Sequence, residues 1–529
     1  MSTAQSPDIQ HNSPPDPSEK KSDLTGRDRF VSNLIHSWGG YVLIIIAGVI
    51  MPRLMNQYIG QFNLGIWDFA WSFVSYLSLA RLDIGSAINR YVAKYRSEDN
   101  NDKISVLIST VIILQLATAI IVLIGTVLVI YWLPALFANQ LGEQTATAQW
   151  VVALLGISLA IRMANGSSSG IITGCHRWDT HNTITVTSRL IEIILMWVAL
   201  VYGIGLKGLA VILLCVAVGT EWQRLRISRK ICPNIDIKLS LFSWKMGREV
   251  IRFGLKTFFF DFPPLYLVQT TNLIIANQLG PAQLAVFARS IALVRHVETF
   301  SSKFSSILSP MAGSLQAMNR QEELRQFFLD TSRYGVAFAT PMLVFLVVNG
   351  DAVLRLWMGD QYVIGTPLAI LAAGYLLPTA QNSVREILKG LNLHGRIGMA
   401  TLLISVICFA IGLIAIKFFS YTLTAAALLV AIPLAVSLGI TPAFFACKRL
   451  QIRYSEYWWH TLFMPLLANL LFGLCLFGGR TIYADNIWVG VITGSSIGAF
   501  FLFFFYYRYI LPIEFKSNLF NKLRPPSRK

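Results

Sequence analysis

Arg289, His296 and Lys303 of "FARSIALVRHVETFSSKF" (287–304) are spaced by seven within a long apolar run. Successive helical residues turn by about 100°, so the three fall within about 40° of one face, roughly 10 Å apart along it. A ladder of cations suits an anion, and guanidinium donors match a pyrophosphate best. Arg295 and Glu298 lie off that stripe at i,i+3, where a local pair is an equally good reading. Ionisable groups at mid-membrane cost about 2.5–3.5 kcal/mol each on insertion scales and persist where a cavity or a partner receives them. The same reasoning applies to Asp68, Arg162, Glu192, Lys256, Asp261, Arg385 and Glu386. Asp68 heads a polar stripe with Ser72 and Ser75, and Arg162 precedes the small-residue run "NGSSSG" (165–170), as a cavity lining would. Plainer readings stand beside these. Glu192 pairs with Arg189, Lys256 snorkels to the aqueous boundary, Arg385 and Glu386 sit at an interface, and His36 is a packed histidine. Taken together, the cations predict a central cavity of positive potential. Arg289, His296, Arg162, Arg295, Arg385 and Lys256 are its candidate substrate-binding residues, and Asp68 and Asp261 are candidates for coupling to H+ or Na+.

The elements that must hold these charges are membrane spans. The chain has 529 residues, 54% apolar and 13% charged, with a mean hydropathy of +0.57, whereas soluble proteins carry about a quarter charged residues. Fourteen apolar stretches of about 20 residues, each enough to cross about 30 Å of hydrocarbon, begin near residues 33, 63, 105, 150, 184, 206, 250, 283, 333, 366, 398, 423, 457 and 487. The odd-numbered connections hold five basic residues between them (Arg53, Lys207, Arg355, Lys417, Arg480), while 81–104 alone holds five and 223–252 eight. Short basic loops stay in the cytoplasm, which puts both termini inside a cell membrane. The net charge of +17 then reflects topology and anionic lipid rather than nucleic acid.

The chain also repeats. "NQYIGQFNLGIWDFA" (56–70) answers "ANQLGPAQLAVFARS" (276–290) at an offset of 220, "LPALFANQ" (133–140) answers "LRLWMGDQ" (354–361) at 221, and "SGIITGCHRW" (169–178) answers "REILKGLNLHGR" (385–396) at 216. Six spans per repeat preserve orientation, giving parallel repeats about an axis along the membrane normal. The expected fold is therefore an all-α membrane protein of about 14 helices, in two pseudo-symmetric six-helix lobes plus two C-terminal helices. Its units are a disordered cytoplasmic tail (1–29), an N-lobe (30–222), a basic cytoplasmic linker (223–249), a C-lobe (250–450), spans 13 and 14 (451–510) and a basic tail (511–529). "DFPP" (261–264) reads as the sharpest helix break.

Loops this short leave no room for a soluble catalytic domain, and no phosphate-binding GxxxxGK[ST] or HExxH occurs. The six cysteines are scattered without CxxC, so neither a disulfide framework nor a metal site is expected. A non-enzymatic transporter without cofactor is the reading. A non-transporting membrane scaffold stays open as well, and it would show mutually paired charges and no lumen.

"RFVSNLIHSWGGYVLIIIAGVIMPRLMNQYIGQFNLGIWDFAWSFVSYLSLARLDIGSAINRYVAKY" (29–95), with "LWMGDQY" (356–362) and "ILKGLNLHGRIGMA" (387–400), resembles the polysaccharide-exporter (Wzx-type flippase) branch of the multidrug/oligosaccharidyl-lipid/polysaccharide superfamily. The resemblance implies two six-helix lobes set in a V around a cavity that faces each side in turn. It also implies undecaprenyl-diphosphate-linked oligosaccharide as cargo, cavity arginines on the pyrophosphate, and polymerase machinery as a neighbour. The two extra C-terminal spans are similar to those of peptidoglycan-precursor flippases. Span one offers only His36 above Arg53, which departs from that branch. A multidrug or other ion-coupled exporter of the superfamily is the alternative cargo class.

Overall fold

The computed structural model describes residues 27–511 apart from 82–83, 234 and 419. The tails expected over 1–29 and 511–529 lie outside the described residues except at their inner edges, as does the side chain of His36. Among the described residues the chain is helical throughout, with no strand. In order come α1 (Arg27–Leu77), α2 (Ile84–Ser97), α3 (Asn101–Leu141), α4 (Thr145–Ala164), α5 (Gly166–Gly174), α6 (Trp178–Val201) and α7 (Gly205–Ile231). The second half runs α8 (Trp244–Gln278), α9 (Pro281–Ser305), α10 (Leu308–Ala317), α11 (Gln321–Met358), α12 (Thr366–Ala380), α13 (Asn382–Gly390), α14 (His394–Ile416), α15 (Leu423–Leu434) and α16 (Thr441–Leu450). Last come α17 (Tyr454–Tyr457), α18 (Met464–Ile482) and α19 (Ile487–Tyr509).

Eight helical segments are long and apolar enough to cross a membrane: α3 with α4, α6, α7, α11, α14, α15 with α16, α17 with α18, and α19. Only 17% of the most apolar window of α14 and of α19 is buried, so Leu403, Ile407 and Ile411, or Phe500 and Phe504, face outward as lipid-contacting side chains do. The protein is a multi-pass membrane protein. Helices α8 and α9, where spans seven and eight were expected, fall outside that apolar set, and α12 has only 15 residues. Of these, α8 carries Asp261 and α9 carries Arg289 and Arg295; α1, with Asp68, packs on α8 and α9, and α9 packs on α12. A helix that does not meet lipid has no need of a uniformly apolar surface.

The backbone carries the repeat into geometry. Gly60 (φ 80, ψ 166) breaks α1 and Gly280 (φ 86, ψ 169) precedes α9 in the same conformation, a left-handed setting that glycine adopts without strain. Asp99 and Asn319 (φ 50 and 57) match at the same offset of 220, and His176 and Asn392 (φ 57 and 55) at 216. Short α5 and α13, nine residues each, keep the 216 spacing.

"DFPP" does not interrupt its helix: α8 passes through Pro263 and Pro264 over 35 residues without leaving helical backbone. Proline presets a helical φ, so the cost is lost hydrogen bonds rather than a broken rod. The irregularity lies between Pro433 and Pro442 instead, where Ala435–Ile440 widens into a π-helical turn.

The two halves are hydrogen-bonded at the end of the molecule remote from the 223–249 linker. There Trp357 Nε1 donates to the Val49 carbonyl at 2.6 Å, Tyr362 Oη to Asn56 Oδ1 at 2.7 Å, and Gln140 Nε2 to the Asn277 carbonyl at 2.6 Å. Gly65 lets α1 ride against α9: a Cβ there would lie 1.8 Å from the Pro281 carbonyl oxygen. At the linker end the attachment runs through α8 and the segment before it. Ser105 and Ser109 accept from the amides of Asp236 and Lys238, and Arg90 lies 5.4 Å over the Phe253 ring.

Candidate functional site

At the contact of α1 with α9, Arg289 Nη2 meets Asp68 Oδ1 at 2.5 Å, both side chains largely buried. This ion pair joins the two halves of the chain. It is incompletely satisfied, because Asp68 Oδ2 and Arg289 Nε are buried without a partner among the described residues. Beside it, Asn272 Nδ2 donates to Ser72 Oγ at 3.2 Å, and Tyr76 Oη to the Tyr266 carbonyl at 3.2 Å. The wet face read from Asp68, Ser72 and Ser75 therefore borders α8 and α9.

Two cavities that contain charged side chains flank this seam. The one of about 160 Å³ contains Asp68, Arg289, Arg189 and Glu192. The other, about 250 Å³, contains Asp261, Arg295, Glu298 and Arg385, with Tyr375 and Gln269 on its wall. Each holds two acids and two bases. The expectation of a lumen of uncompensated positive charge is thus corrected: acids balance the cations in both cavities. The reason is energetic, since an isolated guanidinium costs several kcal/mol to bury and an acid within reach offsets most of that.

Residue by residue, the sequence-derived set divides. Arg289 is paired with Asp68. Arg385 lies 3.5 Å from Asp261 and stacks at 5.0 Å over Phe260, with Lys389 also 3.8 Å from Asp261. Arg295 and Glu298 line one cavity, yet among the described residues neither joins an ion pair. His296 packs against α1, its Cε1 3.1 Å from where a Cβ of Gly48 would lie, and Lys303 is exposed. Only Arg289 of the seven-spaced stripe is therefore held deep in the seam. Arg162 is half-buried near Glu192 and Glu221, without a direct partner among the described residues. Lys256 is not in the seam: it lines a separate pocket on the far side of α8.

Arg189 and Glu192 form the local pair read from their spacing. Sequence reasoning missed a second such pair, Glu221 with Arg224 at 2.9 Å, which Asn165 Nδ2 joins at 2.9 Å from Glu221. The i,i+3 spacing was the available signal, hidden because Arg224 reads as the first basic residue of the linker. Arg480 pairs with Asp351 across 129 residues, tying α18 to α11; no local spacing announces that. Cys175 and Cys232 are free thiols with sulfurs 2.9 Å apart, brought together by the fold alone.

A family model described as "Polysaccharide biosynthesis protein" matches residues 86–365, more than half of the chain. The chain belongs to that family. The polysaccharide-biosynthesis family expected from the sequence holds. Two curated relatives are each 21% identical. One is an uncharacterized membrane protein of Methanocaldococcus jannaschii, matched over 66% of this chain and 71% of its own length. The other is the Haloferax volcanii protein named "Probable low-salt glycan biosynthesis flippase Agl15", over 57% and 59%, so that less than two thirds of that relative is spanned. Among solved structures, the lipid II flippase MurJ in an inward closed conformation superposes with a TM-score of 0.65, 14% identity and 91% and 100% coverage. The MATE multidrug transporter DinF-BH does so at 0.61, 15%, 80% and 96%. These likenesses establish the fold of the family member.

Proposed function

We propose that the chain is a flippase that moves a lipid (undecaprenyl) diphosphate-linked oligosaccharide from the cytoplasmic to the outer leaflet of the cell (inner) membrane, for surface polysaccharide biosynthesis. In this reading α1–α7 and α8–α16 are two lobes of six spans related by an axis along the membrane normal, α17–α19 supply two further spans, and both termini are cytoplasmic. The cargo class rests on family membership and on the relatives named for glycan and lipid II flipping. The observation that carries the mechanism is the Asp68–Arg289 pair at the seam.

Gly60 and Gly280 are equivalent positions, so Asp68 and Arg289 stand eight and nine residues beyond them. Helices related by an axis meet on it, and here they meet with opposite charges. A diphosphate entering the seam competes with Asp68 for Arg289, and with Asp261 for Arg385. A proton or Na+ on Asp68 neutralises the competitor and frees the guanidinium, which couples ion and anion binding at one site. Losing the cargo lets the pair re-form, and the empty carrier returns without a stranded buried charge. Cavities of about 250 and 160 Å³ are below the roughly 300–1,000 Å³ that drug-sized ligands fill. The lobes must therefore part to admit a sugar. The hydrogen-bonded end, remote from the basic linker, is the outer gate, closed here.

The charge balance of the two cavities also favours a second reading, a multidrug or other ion-coupled exporter whose cationic cargo would sit on Asp68 and Asp261. One experiment separates them. In a deletion strain complemented with Arg289→Ala at normal membrane abundance, mass spectrometry should find lipid-linked oligosaccharide accumulating as in the empty strain. Wild-type levels of that intermediate, with cationic dye efflux lost in Asp68→Ala, would replace the flippase with the exporter.

A further inference from the structure

The pocket that takes Lys256 away from the seam lies between the first turns of α8 and α14 and encloses about 970 Å³. Arg248, Arg252, Lys256 and Arg396 line it, and no acid does. Among the described residues none of these four is in an ion pair. Arg248, Arg252 and Lys256 recur every four residues, a stripe along one face of α8. On a helical wheel Asp261, in the seam, lies about 180° from the centre of that stripe. The pocket thus opens on the opposite side of α8 from the seam.

Depth follows from length. Helix α8 has 35 residues and is about 52 Å long at 1.5 Å per residue, against about 30 Å of hydrocarbon. Counting about 20 residues back from Gln278 sets the hydrocarbon boundary near Phe259. At 1.5 Å per residue Lys256 then stands about 4.5 Å outside that boundary, in the headgroup layer, with Arg252 about 10 Å and Arg248 about 16 Å out along the helix, towards the water. The same count from Ile416 puts Arg396 at that boundary in α14, whose first turn has no side-chain cap, so its free amide groups add to the positive field. Below the cations the wall is apolar, with Phe259 and Met399.

We propose that this pocket is a resident binding site for an anionic glycerophospholipid of the inner leaflet, its phosphate held by Arg248, Arg252, Lys256 and Arg396 and its acyl chains running past Phe259 and Met399. The site is separate from the seam and stands whether or not the transported cargo is a lipid diphosphate.

The test is native mass spectrometry of the full chain titrated with phosphatidylglycerol and, in parallel, phosphatidylcholine. Wild type should keep a phosphatidylglycerol adduct in preference to phosphatidylcholine. Each basic residue near an anionic surface is worth roughly fivefold in binding, so R248Q/R252Q/R396Q should weaken that adduct on the order of a hundredfold, while R229Q/K230Q in the linker leaves it intact. R396Q alone, an exposed change that spares α8, should cost roughly fivefold and covers the case of a misfolded triple variant. Undiminished binding by R396Q and the triple variant overturns the site. Displacement of phosphatidylglycerol from wild type by stoichiometric undecaprenyl diphosphate also overturns it, by assigning the pocket to the cargo.

Discussion

Asp68 and Arg289 can be separated experimentally into a structural and a functional part. Removing one partner of a buried pair typically costs about 3–5 kcal/mol, whereas replacing both with apolar groups of similar size is often neutral. Arg289→Ala and Asp68→Ala should therefore each lower the thermal midpoint of the purified protein clearly. Asp68→Leu/Arg289→Met should recover the midpoint while export stays abolished; recovery of both would make the pair a purely structural strut. If the carboxylate is where the ion couples, Asp68→Asn should remove the dependence of transport on the proton gradient while leaving the protein folded. The spacing of Arg189 and Glu192 was enough to foresee their contact. The seam pair was not legible, because Asp68 and Arg289 are 221 residues apart and only the folded chain selects which acid each arginine meets.

Among the elements, α1 and α9 depend on the absence of a side chain at Gly65. Even a methyl would strike the Pro281 carbonyl oxygen, which is backbone and cannot rotate away. Gly65→Ala should cost about 1–3 kcal/mol of stability, in the range of overpacking, and loosen the outer gate. Increased labelling of a cysteine placed at Asn277 is the measurement for this. The docking of α18 on α11 rests on Arg480, which donates to Asp351 and to the Val348 carbonyl. A double-mutant cycle over Arg480→Ala and Asp351→Ala should give a coupling of about 0.5–3 kcal/mol, and additivity would mean that close packing, with Gly473 against Val344, holds α18 on α11 unaided.

For the whole molecule, the proposed flippase cycle requires the closed seam to open at the end where hydrogen bonds join the halves. Gln140→Cys/Asn277→Cys joined by a short bis-thiol reagent should stop export, with restoration once the link is cleaved; continued export through the linked protein would rule out opening at that end. The sequence by itself determined the helical class, the apolar outer spans, the repeat and the family, because these follow from local periodicity, composition and short motifs. It also marked Arg289 and Asp261 as charges carried by otherwise apolar mid-chain spans. Only the tertiary structure decided that the cations are balanced by acids, that Lys256 turns to a pocket of its own, and that Glu221 with Arg224 joins the interior. Charge sign and helical face are properties of one segment, whereas compensation of a buried charge is a property of whichever segments pack around it.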